Sequence, residues 1–169
     1  VSLFLEKRIP VCAGMGGGSS DAAATIRALN QLWHLDLSQK DMIEIGMQIG
    51  SDVPYCLVAG CAQVTGKGEV VSQLAGQLSS WVVLVKPEFG ISTRTVFPDI
   101  NCDTISRVSI ANLVAAIEAG DYNGILAEMG NSLEDISIAK RPFIQKIKDK
   151  MMQSGADIAL MTGSGPTVF

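Results

Sequence analysis

The sequence has a single histidine, His34, and no Cys-x-x-Cys pair among Cys12, Cys56, Cys61 and Cys102. Zinc sites draw on paired cysteines or histidines, so no metal-ligand set is assigned. The four thiols read as buried free cysteines of a cytoplasmic protein. Charge is sparse, at 18% of residues against 47% apolar, which suits a packed globular chain and not a disordered one. The net charge of −4 comes without a basic stripe, so nucleic acid is not an expected partner. No apolar run approaches the roughly 20 residues that cross a bilayer, and no basic segment leads into a short apolar one at the start. No membrane partner is expected, and oligomeric state is not legible.

What the chain does have is a cluster of four glycines within residues 14–18. Pro10-Val11-Cys12-Ala13-Gly14-Met15-Gly16-Gly17-Gly18-Ser19-Ser20 runs from a strand-like segment into the alanine-rich start of a helix. Glycine lets the backbone turn through positive φ and lets a ligand approach the main chain. A helix start adds unpaired N–H groups and partial positive charge, so the combination suits a phosphate. The alternative is a tight turn whose glycines only allow close packing. The familiar templates do not fit. No lysine follows the glycines, as a Walker loop requires, and Ser19 stands where a dinucleotide fingerprint needs its third glycine. Protein-kinase glycine loops join two strands, whereas this one enters a helix.

The remaining pattern is mixed. Leu3–Ile9 predicts a strand, as do the continuous apolar run Trp81–Val85, expected to be buried, and Asp157–Met161. Ala22, Ile26, Leu29 and Trp33 stripe a first helix, and Met42, Ile45 and Ile49 a second, capped by Ser38 with Asp41 and ended by Gly50. Gly66-Lys67-Gly68 predicts a hairpin within 62–71. Ser92 or Thr93 caps a short helix with Val96 and Phe97, Ser109 a longer one, and Phe143, Ile147 and Met151 stripe another that stops at Gly155. Strands and helices mix without strict alternation, so the expected class is α+β. Polar, turn-rich residues 72–80 suggest a boundary near residue 77, between an incomplete N-terminal part, 1–77, and an incomplete C-terminal part, 78–169. Both ends fall inside apparent strands, which reads as an internal piece of a longer protein.

Pro10 through Ala24 resembles the second motif of the GHMP kinase superfamily: galactokinases, homoserine kinases, mevalonate kinases and phosphomevalonate kinases. Further segments agree in order: Gly50-Ser51-Asp52-Val53-Pro54-Tyr55, Gly66-Lys67-Gly68-Glu69, Lys86-Pro87 through Phe97, Asn131-Ser132-Leu133-Glu134, and Met161 through Phe169. Within the superfamily the likeness is greatest to the branch whose acceptor is a cytidine-diphosphate-linked methylerythritol, in non-mevalonate isoprenoid synthesis. The resemblance implies a ribosomal protein S5 domain 2-like N-terminal part and a ferredoxin-like C-terminal one. It also implies ATP with Mg²⁺, phosphates over the glycine loop, and transfer to the 2-hydroxyl of that small-molecule substrate.

The resemblance assigns roles residue by residue. Pro10 to Ser20 bind ATP, with Gly163, Ser164 and Gly165 of the third motif set against the loop; as a plain pattern those three make a hairpin turn. Ser19 or Ser20 could reach phosphate or Mg²⁺, or simply cap the helix. Asp52 falls on the catalytic aspartate, suited to orienting a hydroxyl and accepting its proton. Asp before Val53-Pro54 is equally a good helix cap. Asp21 ranks lower, since it would repel phosphate. Phe97 aligns with an aromatic that stacks on cytosine, though a core role is its ordinary reading, and Thr93 is a weaker substrate contact. Lys67 and Arg94 are the cations best placed for phosphate, with solvated surface as the default. His34 reads as a helix-end residue, and the methionines as core filler. The superfamily's first motif, with a lysine for the catalytic aspartate, has no counterpart here, so this stretch alone is expected to turn over weakly or not at all, with exposed sheet edges. A mevalonate- or homoserine-type kinase, a non-catalytic nucleotide-binding module and a structural α+β domain remain the competing readings.

Overall fold

The computed structural model describes all of residues 1–169 except 77, 78, 102 and 104. Cys102 and the boundary expected near residue 77 therefore lie outside the described residues, while Cys12 and Cys61 are exposed and Cys56 only partly buried, which corrects the buried reading of these thiols. The chain forms two units, residues 16–78 with 114–121 and residues 1–15 with 79–113 and 122–169.

The first unit is built on helix α1 (Gly17–Leu32), whose alanine-rich run favours helix and buries Ala23 and Ile26. Trp33 caps the helix C-terminus and is exposed, so the expected stripe stops one turn short of it. Helix α2 (Gln39–Ile49) starts with a reciprocal capping box between Ser38 and Asp41 and ends at Gly50. Its inner face differs from the expected one. Ile45 and Ile49 are exposed, and the buried residue is Gly46, where a Cβ would come within 2.9 Å of Val53 Cγ1. The missing side chain lets α2 pack closely against helix α3 (Val53–Val58), which carries Pro54 in its first turn. Ala23, Ile26, Val53 and Leu57 form this unit's core. Strands β1 (Ala62–Thr65) and β2 (Val70–Gln73) pair antiparallel, Ala62 opposite Gln73 and Thr65 opposite Val70. Gly66 and Gly68 turn the hairpin at φ 71° and 117°, and the Glu69 carboxylate accepts from the Lys67 N–H.

The second unit holds helix α4 (Thr93–Val96), a 3₁₀ turn at Phe97–Asp99, the first residues of α5 (Ile110–Ala119), then α6 (Tyr122–Glu128), α7 (Glu134–Lys140) and α8 (Phe143–Gln153). Its core gathers Ile91, Val96, Ile144, Ile147, Ala159, Met161 and Val168. Phe143 is exposed and meets Phe89 edge-on, while Ile144 takes the buried place in α8. Two strand expectations fail. Residues 3–9 form no strand, and Trp81 to Leu84 are exposed, with Trp81 fully so. An apolar run becomes a buried strand only when neighbours pair with it. Of the run Trp81–Val85, only Val85 bridges, exchanging hydrogen bonds with Val168. Asp157–Met161 is realised as a narrow ladder: Leu160 and Phe169 exchange backbone bonds and Met161 bridges Val168. No helix among the described residues is long and apolar enough to cross a membrane.

Candidate functional site

The start of α1 is an open cap. Gly16 sits at the N-cap in left-handed conformation (φ 61°), and no side chain bonds to the first-turn amides. The Ser20 N–H already pairs with the Gly16 carbonyl, so Gly17, Gly18 and Ser19 carry the free amides of the first turn. A Cβ at Gly16 or Gly18 would meet nothing within 4 Å. These glycines are not packing against protein. Ser19 is half-buried and Ser20 exposed, and neither side chain caps α1.

Asp52, in the same unit, occupies the N-cap position of α3, yet its carboxylate makes no cap hydrogen bond. It is exposed. Its negative charge helps raise the pKa of the Cys56 thiol one turn on: burial is the larger cause, Asp52 adds to it, and Arg27 opposes both. Arg27 donates to the Cys56 carbonyl at 2.9 Å. Lys67 lies exposed at the hairpin tip.

The other half of the glycine stretch belongs to the second unit. Cys12 and Gly14 have positive φ, 53° and 71°, and Ala13 is buried. The Cys12 carbonyl accepts from the Ile91 N–H. Gly14 packs so closely that a Cβ would strike the Thr162 carbonyl, and the Thr162 hydroxyl donates to the Gly14 carbonyl at 2.9 Å. Gly163 and Gly165 are left-handed (φ 55° and 82°), Ser164 is buried, and the Gly165–Pro166 bond is cis. The third-motif turn thus lies directly against Gly14. A cleft of about 600 Å³ is lined by Pro10, Met15 and Thr162 with Arg8, Val82 and Leu84. Val11 is exposed.

Thr93 Oγ1 and Ser164 Oγ are 2.9 Å apart. Phe97 is 56% exposed, which corrects the ordinary core reading of that residue. Arg94 is exposed in the last turn of α4. Among the described residues no group of three His, Cys, Asp or Glu side chains could hold a metal ion.

A set of supports escaped sequence reading. Asn131 Nδ2 donates to the carbonyls of Met161 and Gly163, Ser137 Oγ to that of Ser164, and Glu134 Oε1 accepts from the Met161 N–H. The stretch Asn131–Glu134 carries family likeness, but only its packing shows what it touches.

Residues 1–60 match the GHMP kinases N terminal domain and residues 113–169 the GHMP kinases C terminal domain. A Streptococcus equi subsp. zooepidemicus protein, named as an inferred 4-diphosphocytidyl-2-C-methyl-D-erythritol kinase, is 82% identical over all 169 residues. Proteins of Streptococcus uberis and Streptococcus mutans with the same name are 69% and 65% identical over the same span. The chain spans 60% of the length of each of these curated relatives. A crystal structure of 4-(cytidine 5'-diphospho)-2C-methyl-D-erythritol kinase superposes with a TM-score of 0.73 at 28% identity, covering 96% of this chain and 58% of that one. Both domain matches fall in order along an α+β chain, with the glycine turn inside the first and the Gly163–Gly165 turn inside the second: the chain belongs to the GHMP kinase family.

Proposed function

We propose that the full-length protein is a cytoplasmic ATP-dependent kinase that phosphorylates the 2-hydroxyl of 4-diphosphocytidyl-2-C-methyl-D-erythritol in isoprenoid precursor synthesis. The observation that carries the phosphate site is the start of α1, where free amides sit beside two glycines that face open space. Such an end attracts anions through its N–H groups and its dipole. The relatives' shared name supports the acceptor. The division near residue 77 into an ATP-binding part and a C-terminal part is compatible with domain matches on either side of it.

In this reading ATP supplies the phosphoryl group, and the free first-turn amides of Gly17, Gly18 and Ser19 hold its phosphates. Transfer of this kind rests on positioning and charge stabilisation. Asp52 orients the acceptor hydroxyl and takes its proton, which is consistent with a carboxylate that no cap bond occupies. Phe97, exposed rather than buried, offers a face for the cytosine, and Thr93 a hydroxyl for the acceptor. Magnesium in kinases keeps phosphate oxygens and water as most of its ligands, so a hydroxyl of Ser19 or Ser20 would supply one of them, and the ion would neutralise phosphate charge.

The test is phosphoryl transfer by the full-length protein from ATP·Mg²⁺ to the cytidine-linked alcohol, with mevalonate and homoserine as rival acceptors. Turnover on the cytidine compound alone is expected. Preference for either rival, or ATP binding without any transfer, overturns the reading.

A further inference from the structure

Four hydrogen bonds tie the third-motif turn to one short segment, residues 131–137. The carbonyls of Met161 and Gly163 accept from Asn131 Nδ2 at 2.6 and 2.8 Å. The carbonyl of Ser164 accepts from Ser137 Oγ at 3.1 Å. The Met161 N–H donates to Glu134 Oε1 at 2.7 Å. Asn131 is itself fixed by the Leu133 N–H on its Oδ1.

Glu134 is the unusual member. It is a buried carboxylate, and its second oxygen pairs with the Lys148 ammonium, whose side chain is only 16% exposed. Burying such a pair is expensive in desolvation, and apolar replacements of similar size often serve stability as well or better. Stability is therefore a poor reason for it. The bond to the Met161 amide is what a methionine or leucine could not supply. From Met161 the chain runs to Thr162, whose hydroxyl holds the Gly14 carbonyl two residues before the α1 cap.

We propose that Glu134, oriented by Lys148, is a positioning residue for phosphoryl transfer: it fixes the Met161–Gly165 turn, and through Thr162 the first bend of the glycine stretch. The proposal rests on the kinase reading above. It adds a residue remote from the reacting atoms that sets ATP affinity rather than acceptor choice.

Two double variants of the full-length chain test it. Glu134→Met with Lys148→Met removes the charges and the acceptor of the Met161 N–H while keeping volume. Glu134→Gln with Lys148→Met removes the charges but keeps an acceptor. The first is expected to raise KM for ATP at least tenfold, with KM for the acceptor alcohol within threefold of wild type. It should also speed amide exchange over residues 161–165 at least tenfold, leaving exchange in α1 unchanged. The Gln variant should stay within threefold of wild type on every readout. Equal ATP KM and equal exchange in the two variants overturn the proposal. So does a Met variant that fails to fold while the Gln variant folds, since the group would then be structural. If wild type transfers no phosphoryl group, the kinase reading fails separately, and equal exchange in the two variants still overturns the role given to Glu134.

Discussion

The hydroxyls of Thr93 and Ser164 meet at 2.9 Å across 71 residues of sequence. One opens α4, four residues before Phe97, and the other lies buried in the third-motif turn. Either hydroxyl can donate, so Thr93→Val and Ser164→Ala each leave one group without its partner. A double-mutant cycle on stability is expected to give a coupling of about 1 kcal/mol. Urea unfolding of the four proteins measures it. A coupling near zero would mean that the bond is not formed in solution.

Gly14 and Gly18 share a motif but not a physical role. At Gly14 (φ 71°) a side chain meets both left-handed strain and the Thr162 carbonyl. Gly14→Ala is expected to destabilise by about 2 kcal/mol or more. Gly18 lies within α1 and faces open space. Gly18→Ala is expected to hold or raise Tm, since alanine favours helix by about 1 kcal/mol over glycine. Under the kinase reading the added methyl group enters the space for phosphate, so KM for ATP should rise at least fivefold. Thermal melts and ATP kinetics together separate the two glycines.

Asp52→Asn is expected to lower kcat by roughly 10²- to 10⁴-fold in the full-length enzyme, the range for a lost general base. Its effect on stability should be within about 0.5 kcal/mol, because no cap bond is lost. The same variant has a chemical reporter. The negative charge of Asp52 adds to burial in pushing the Cys56 thiol up. Removing it lowers that pKa, increases thiolate, and should speed alkylation of Cys56 at pH 8. In wild type, Cys56 should react after the exposed Cys12 and Cys61. Mass spectrometry of a labelling time course reads both effects.

The Ser38–Asp41 box makes the start of α2 sensitive to acid. The Ser38 hydroxyl, then the Ser38 backbone N–H, hold Asp41 below the ordinary carboxylate range. A depressed folded pKa contributes stability above the unfolded value of about 3.9, and the contribution is lost as pH falls through the folded pKa. The stability gap between wild type and Asp41→Asn should therefore be constant from pH 7 to 5 and shrink below about pH 4. Ser38→Ala should cost about 1 kcal/mol at pH 7 through the lost cap. Urea midpoints against pH check both.

Local signals were legible in sequence wherever the physics is local. The capping box, the stop at Gly50, the hairpin at Gly66–Gly68 and the helix after the glycines each depend on neighbours within a few residues, and each is present. The family, too, could be read from ordered short motifs, because phosphate binding and turn geometry demand particular residue types at fixed spacing. Apolar pattern alone could not say which faces would be covered. Trp81–Val85 has the composition of a buried strand but lies mostly exposed, since a strand's burial depends on partners that composition does not specify. Only tertiary packing separated Gly14 from Gly18, freed Asp52 from capping and joined Glu134 to the Met161 amide. Those relationships link residues far apart along the chain, and distance in sequence carries no information about proximity until the core has closed.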